Sequence, residues 1–242
     1  MRTFSEVAGR DLVWQGDTGF TIPATGNFHF ALHDGENPDP IANAHVTWQR
    51  QQSFDVTLES GDGTYLAHID LTRNDRPAVV WKAGDDYSLA AMTVSFEFII
   101  ACGGPIDTHS GRRLLLEPTH QMGYEYAIFP QGGSRILTLS AALKGFGAGA
   151  EPGQQFVPPK WTTDLLSTAL QGMARGAKSG TAGTPDPAAD ALSAVLEGIG
   201  HPGNPGHMSI APESATDVEL PALVTLAFAV SNEMVRLLHK PA

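Results

Sequence analysis

The chain has 242 residues, with 26 acidic and 15 basic side chains that give a formal net charge of −11. Nonspecific nucleic-acid binding needs a basic surface that displaces counterions, so this balance argues against nucleic acid as a partner. It also weakens simple electrostatic attachment to anionic lipid. The only cysteine, Cys102, excludes an intrachain disulfide. The first residues lack the long apolar segment of a signal peptide, so we expect a cytoplasmic protein.

Strand patterns dominate residues 1–145. The clearest alternation puts Phe54, Val56 and Leu58 on one face of a segment whose other face is polar. A Gly-Asp-Gly turn at 61–63 follows, and the alternation resumes at 65–71, so residues 54–72 are predicted to form a β-hairpin. Further strands are predicted, in chain order, at 12–15, 27–33, 78–83, 92–100, 112–117, 124–129 and 134–140. This spacing is typical of a barrel or a sandwich.

The pattern changes after residue 145. Residues 146–217 are predicted to be a Gly/Pro-rich linker region with one or two short helices, at 161–173 and 188–199. Its segments 146–160 and 179–216 are especially rich in glycine, proline and small residues. A chain of this length can form one large β domain or two small ones, and we favour one domain with a helical annex.

The last segment, 218–239, is predicted to be a buried helix. Between Leu220 and Val230 only Pro221 and Thr225 interrupt the apolar residues, so no polar stripe is left to face water. The run is shorter than the ~20 residues that a membrane-spanning helix needs. The predicted fold is therefore mainly β (α+β), an antiparallel β-barrel or sandwich at 1–145 with a wholly apolar C-terminal helix packed into it.

Three short sequences resemble the tubby-like superfamily, which includes the phospholipid-scramblase-like proteins. They are Lys-Trp-Thr at 160–162, Ile-Ala-Pro at 210–212, and Asp-Val-Glu-Leu at 217–220 before the apolar helix. The resemblance covers about the last third of the chain, with interruptions. It implies a barrel threaded by its closing helix and a non-catalytic intracellular role in binding lipid, membrane or a partner. The inserted segment 172–206 and the missing cysteine-rich part and aromatic tail depart from scramblases, so scrambling activity is not carried over.

Few residues are candidates for a site. His68 and Asp70 lie two apart on the polar face of a predicted strand and are close enough to share a ligand, although a solvated strand face explains such a pair more often. Cys102 precedes two glycines and a proline and is a candidate reactive thiol, with a small apolar core residue as the alternative. Arg112 and Arg113 form the best basic pair and are candidate ligand-binding residues.

No metal site and no cofactor is predicted. His29 and His33 share a strand face, but at ~3.3 Å per residue they stand ~13 Å apart, too far for both to hold one ion. No histidine or cysteine spacing matches a metal-binding motif, and no Gly-x-Ser-x-Gly sequence marks a serine nucleophile.

Three hypotheses of function are kept. The leading one is a non-enzymatic intracellular binding protein with a lipid or protein partner and no transmembrane span. The second is a structural or assembly subunit of a homo-oligomer or larger complex. The third is a small-molecule enzyme that uses His68 with Asp70, or Cys102. A helix that fills the barrel would leave no central cavity, so binding would occur on the outside or at a rim.

Overall fold

The computed structural model describes residues 1–20, 26–35, 37, 39–49, 52–73, 75, 77–93, 95–97, 100–102, 104–118, 125–141 and 206–238. The chain divides into two units, of which one comprises Met1–Ala141 and Pro202–Ala242. The other unit, Ala142–His201, lies outside the described residues, as do the two helices predicted at 161–173 and 188–199.

Twelve antiparallel strands close into a barrel. The strands are β1 (Asp11–Phe20), β2 (Gly26–Asp34), β3 (Ala42–Gln49), β4 (Ser53–Ser60), β5 (Gly63–Asp70), β6 (Pro77–Lys82), β7 (Ala90–Thr93), β10 (Gly104–Thr108), β11 (Arg113–Pro118), β12 (Glu125–Pro130), β13 (Leu137–Ala141) and β14 (Gly206–Ile210). Their order around the barrel is β1-β14-β13-β12-β11-β10-β7-β6-β5-β4-β3-β2. A separate two-stranded sheet contains β8 (Ser95–Glu97) and β9 (Ile100–Cys102). Because β1 pairs with both β2 and β14, the barrel has no free strand edge.

The predicted hairpin at 54–72 is confirmed as β4 and β5. Their register pairs Phe54 with Ile69 and Ser60 with Gly63. Gly63 has a φ of +118°, a conformation that other residues rarely adopt, and this explains the glycine at the turn. The alternation buries Phe54, Val56 and Leu58 inside the barrel, as the sequence pattern predicts.

The C-terminal helix, α1 (Leu220–Leu238), occupies the barrel interior. Every residue of α1 from Leu220 to Ser231 is buried, on all sides of the helix. It packs against β4, β5, β6 and β7 on one side and against β12 and β13 on the other. Phe228 also lies 4.4 Å from the Trp14 ring on β1 and 5.5 Å from the Phe30 ring on β2, measured between ring centroids. The helix is thus enclosed by the barrel wall.

Two polar side chains of α1 enter this apolar interior with their hydroxyls satisfied locally. Thr225 Oγ1 donates to the carbonyl oxygen of Pro221 at 2.7 Å, and Ser231 Oγ donates to that of Phe228 at 3.1 Å. Such bonds remove the cost of burying an unpaired hydroxyl. The fold prediction is confirmed: the protein is mainly β, the sheet is a closed barrel rather than a sandwich, and the apolar C-terminal helix is buried in it.

The structure differs from the sequence expectation in four places. Strands β3 and β10 were not predicted at all. Strand β14 lies inside the region 146–217 that was predicted as linker, and it supplies the pairing that closes the barrel. The single strand predicted at 92–100 is divided among β7, β8 and β9. Strand β7 ends at Thr93, where Gly104 of β10 comes so close that a Cβ atom there would lie 2.7 Å from the Thr93 carbonyl oxygen.

One end of the barrel, which we call the entry rim, is where α1 enters. It is formed by residues 35, 37, 39–41, 61–62, 83–89, 109–112, 131–136 and 211–219, which lie between the strand ends there. The N-terminal residues cover part of it: Phe4 is fully buried, its amide donates to Asp62 Oδ2 at 2.8 Å, and the Gly61 amide donates to the Arg2 carbonyl at 2.9 Å. The 3₁₀ helices Ser5–Val7 and Pro212–Thr216 contact each other there.

Candidate functional site

A compact ion cluster fixes the start of α1 at the entry rim. Arg112 Nη1 lies 2.9 Å and 2.8 Å from the two carboxylate oxygens of Asp217 and 2.8 Å from Glu219 Oε2. The side chains of Asp217 and Glu219 are only 11% and 9% exposed, whereas that of Arg112 is 39% exposed. Arg112, predicted as a ligand-binding residue, therefore already neutralises two carboxylates at the helix entry.

The surroundings of Glu219 and Arg112 favour the charged form of each. Burial opposes ionisation of Glu219, but Ser110, Thr108 and the Arg112 charge together lower its pKa. Burial likewise opposes the charge of Arg112, while Asp217 and Glu219 raise its pKa above the ordinary value. Glu219 Oε1 is buried and has no hydrogen bond of normal geometry among the described residues. The hydroxyls of Thr108 and Ser110 therefore favour the Glu219 carboxylate as nearby dipoles, without a well-formed hydrogen bond to Oε1.

Arg113 makes a weaker contact. It lies opposite Asp107 in the β10–β11 register, with Nε 3.4 Å from Asp107 Oδ1 and with both side chains about 70% exposed. A pair this exposed contributes little to stability because water and salt screen it. The two predicted arginines therefore differ. Arg112 pairs with two buried carboxylates at the start of α1, whereas Arg113 lies at the surface beside the exposed carboxylate of Asp107.

The second predicted constellation, His68 with Asp70, lies on the outer wall of the barrel. Its carboxylate partner is on the neighbouring strand: His68 Nδ1 lies 2.6 Å from Asp55 Oδ1. Asp55 also accepts a 2.6 Å hydrogen bond from Ser53 Oγ. Sequence analysis missed Asp55, although the hairpin register that follows from the turn at 61–62 pairs it with His68.

The carboxylate of Asp70 is hydrogen-bonded to Thr72. Its Oδ1 accepts hydrogen bonds from the Thr72 hydroxyl at 2.6 Å and from the Thr72 amide at 2.9 Å, and these bonds lower the pKa of Asp70. A weaker contribution comes from His68 on the same strand face. Asp70 therefore stabilises the turn that follows β5, a common use of aspartate.

Asp55 and His68 form a contact between neighbouring strands at the surface of the barrel. Both side chains are 40% exposed, so the pair is open to solvent. The Ser53 hydroxyl donates to the carboxylate and not to the imidazole, so the order of a Ser-His-Asp relay is not formed. The geometry alone gives no activated nucleophile here.

One candidate from the sequence remains, the lone cysteine. Cys102 ends β9 in the two-stranded sheet, opposite Ser95 in the register. His109 lies at the entry rim, where its ring stacks on Tyr87 with 4.3 Å between centroids. The side chains of Trp14 and Trp48 belong to the barrel core.

Comparisons with known proteins provide no assignment. No protein-family model matches the chain, and neither a curated protein nor a solved structure does so. Within the described part of the chain, no three or more His, Cys, Asp or Glu side chains are grouped to hold a metal ion. In the same part, no helix combines the length and apolarity of a membrane span. The function must therefore be argued from the barrel and its surfaces.

Proposed function

We propose that the protein is a non-enzymatic, tubby-like binding protein that attaches reversibly to a lipid surface through its entry rim. The observation that carries the proposal is the filled barrel, in which α1 is buried from Leu220 to Ser231. Barrels that carry a small molecule hold it in the lumen, where side chains surround it. Here the lumen contains a helix, so the outer wall and the rims are the surfaces on which a partner can bind.

The tubby-like part of the proposal is supported by the architecture. A closed twelve-stranded antiparallel barrel surrounds a C-terminal helix, the arrangement that the resemblance implies. The Asp-Val-Glu-Leu sequence at 217–220 lies where the chain turns into that helix. An intracellular location belongs to the same proposal.

Apolar and aromatic side chains at the entry rim support a lipid surface as the partner. Val218 is 90% exposed although it precedes the buried Glu219 and Leu220, and Tyr87 is 48% exposed while it stacks on His109. An amphipathic tyrosine ring suits the boundary between water and lipid. Arg112 is already paired with carboxylates, so attachment would depend more on apolar contact than on anionic headgroups.

Vesicle flotation with the full-length protein tests this proposal. Vesicles of phosphatidylcholine alone, and of phosphatidylcholine with phosphatidylserine, should both carry the wild-type protein upward. Val218→Asp should abolish flotation, because a charge would have to enter the lipid boundary. The control, Gln52→Asp, adds the same charge at an exposed position on the opposite end of the barrel and should float normally.

The outcomes separate the two parts of the proposal. Flotation that requires phosphatidylserine and disappears in salt would contradict apolar attachment and indicate a basic surface. A full-length protein that stays unbound on both vesicle types would show that lipid binding is wrong, while the barrel architecture would be unaffected.

The alternative of an assembly subunit finds less support. Each of the twelve barrel strands pairs with a neighbour on both sides, so strands of another copy have no edge in the barrel to extend. The alternative of an enzyme would use His68, which contacts Asp55, or Cys102, which ends β9.

A further inference from the structure

We propose that His29 and His45, which we call the histidine pair, form a two-imidazole site for a divalent first-row transition ion on the outer wall of the barrel. The two residues lie directly opposite each other in the β2–β3 register. Their ring centroids are 4.8 Å apart, and the ring planes are inclined by 49°. The proposal goes beyond lipid binding and revises the sequence prediction that the protein has no metal site.

The separation suits chelation. Zinc–imidazole bonds are about 2.0–2.1 Å long, so two nitrogens bound to one tetrahedral ion lie about 3.3 Å apart. Imidazoles whose centres are 4.8 Å apart can bring one nitrogen each to that distance by side-chain rotation alone. The antiparallel register fixes both Cα atoms, so little further order has to be imposed when the ion binds.

Neither imidazole has a second partner among the described residues. There, the contact between the two rings is the only ring contact, hydrogen bond or ion pair of either side chain. His29 is half-buried and His45 is exposed, so the ion could approach from solvent. By contrast, His68 on the same wall already has its Nδ1 bound to Asp55. The histidine pair is therefore the place on this wall where two free imidazoles converge.

The local charge also favours a cation. Strands β2, β3 and β4 contain no lysine or arginine, while Asp55 and Glu59 lie on the outer face of β4. Thr57 is the neighbour of His45 on β4 and is small enough to leave room for water on the ion. Two protein ligands with water completing the coordination predict modest affinity, with copper(II) bound more tightly than nickel(II) or zinc(II).

Titration of the full-length protein with zinc chloride, followed by NMR of ¹⁵N-labelled histidine rings, tests the site. The His29 and His45 signals should change together and saturate at one ion per chain. His29→Gln should weaken zinc binding at His45 at least tenfold, and His45→Gln should do the same at His29, because each leaves a single ligand.

His33→Gln is the matched control. His33 lies on the same face of β2 but opposite Val13, and its replacement should leave the zinc response of the histidine pair unchanged. Equal urea midpoints for all variants would show that folding is intact. The proposal is wrong if neither signal responds to zinc, or if the remaining histidine of each single variant binds zinc as tightly as before.

Discussion

Replacing Phe228 with alanine should lower the free energy of unfolding by about 4 kcal/mol. The ring is completely buried in the middle of α1 and contacts the Trp14 and Phe30 rings at centroid distances of 4.4 Å and 5.5 Å. Buried Phe→Ala substitutions cost about 3–5 kcal/mol because transfer energy is lost and a cavity remains. Loss of two aromatic contacts, each contributing about 0.5–1.5 kcal/mol, favours the upper half of that range.

Urea unfolding followed by tryptophan fluorescence measures this change. Because Trp14 touches Phe228, its emission should report on the same transition. Domains are commonly stable by about 5–15 kcal/mol, so Phe228→Ala should stay folded with a much lower midpoint. Val218→Ala is the control, since Val218 is 90% exposed just before the helix and should change stability by no more than about 0.5 kcal/mol. A loss below about 1.5 kcal/mol for Phe228→Ala would refute the enclosure of the ring.

Three further perturbations follow from contacts at the entry rim and from α1. Gly61→Ala should lower the free energy of unfolding by about 1–3 kcal/mol and speed proteolysis of the N-terminal residues, because its Cβ would lie 2.6 Å from the backbone of Arg2. The control is Gly35→Ala, whose Cβ would have nothing within 4 Å and which should be nearly neutral. Arg112→Ala should cost about 2 kcal/mol at neutral pH by leaving buried carboxylates unpaired, measured by urea unfolding. In the wild type, the folded protein holds the pKa of Glu219 below its ordinary value of 4.5, so ionised Glu219 stabilises the fold above that pH. This stabilisation is lost as the pH falls through the folded-state pKa. The free energy of unfolding of Arg112→Ala should therefore depend less steeply on pH in the acid range. Deletion of the residues after Thr216 removes α1 and should yield aggregated or molten protein, because the barrel loses its apolar interior. A truncated monomer that melts cooperatively near the full-length temperature would contradict the burial of α1.

The C-terminal helix was predictable from local sequence because its signal is local. An apolar run from Leu220 to Val230 with only Pro221 and Thr225 as interruptions has no face for water, whatever surrounds it. The β4–β5 hairpin was predictable for a similar reason, since the alternation and the glycine turn lie within one short segment.

Strand β14 was not predictable by the same reasoning. It has five residues and two inward apolar side chains, Met208 and Ile210, beside a Gly/Pro-rich segment. Its partners are β1, nearly the whole chain earlier, and β13. Only pairing with strands so distant in sequence turns this short alternation into a barrel strand.

The polar contacts between strands were also not predictable from local sequence. Sequence spacing compares residues along one strand, and it paired His68 with Asp70 and excluded His29 with His33. The structure pairs residues across strands instead, His68 with Asp55 and His29 with His45. Which residues are neighbours across two strands depends on the strand register, and the register depends on the length of the connecting turn. The length of the turn between β2 and β3 is not evident from the sequence, so the His29–His45 pairing could not be derived.

Native-state hydrogen exchange of α1 tests the central claim most directly. If the helix is threaded through the closed barrel, the amides of residues 223–230 can exchange only when the whole barrel unfolds. Their exchange free energies should equal the global value from urea unfolding and should fall with urea with the same slope. Exchange of these amides through an opening of much lower free energy, while the amides of β4 and β5 stay protected, would contradict the account and place α1 outside the barrel.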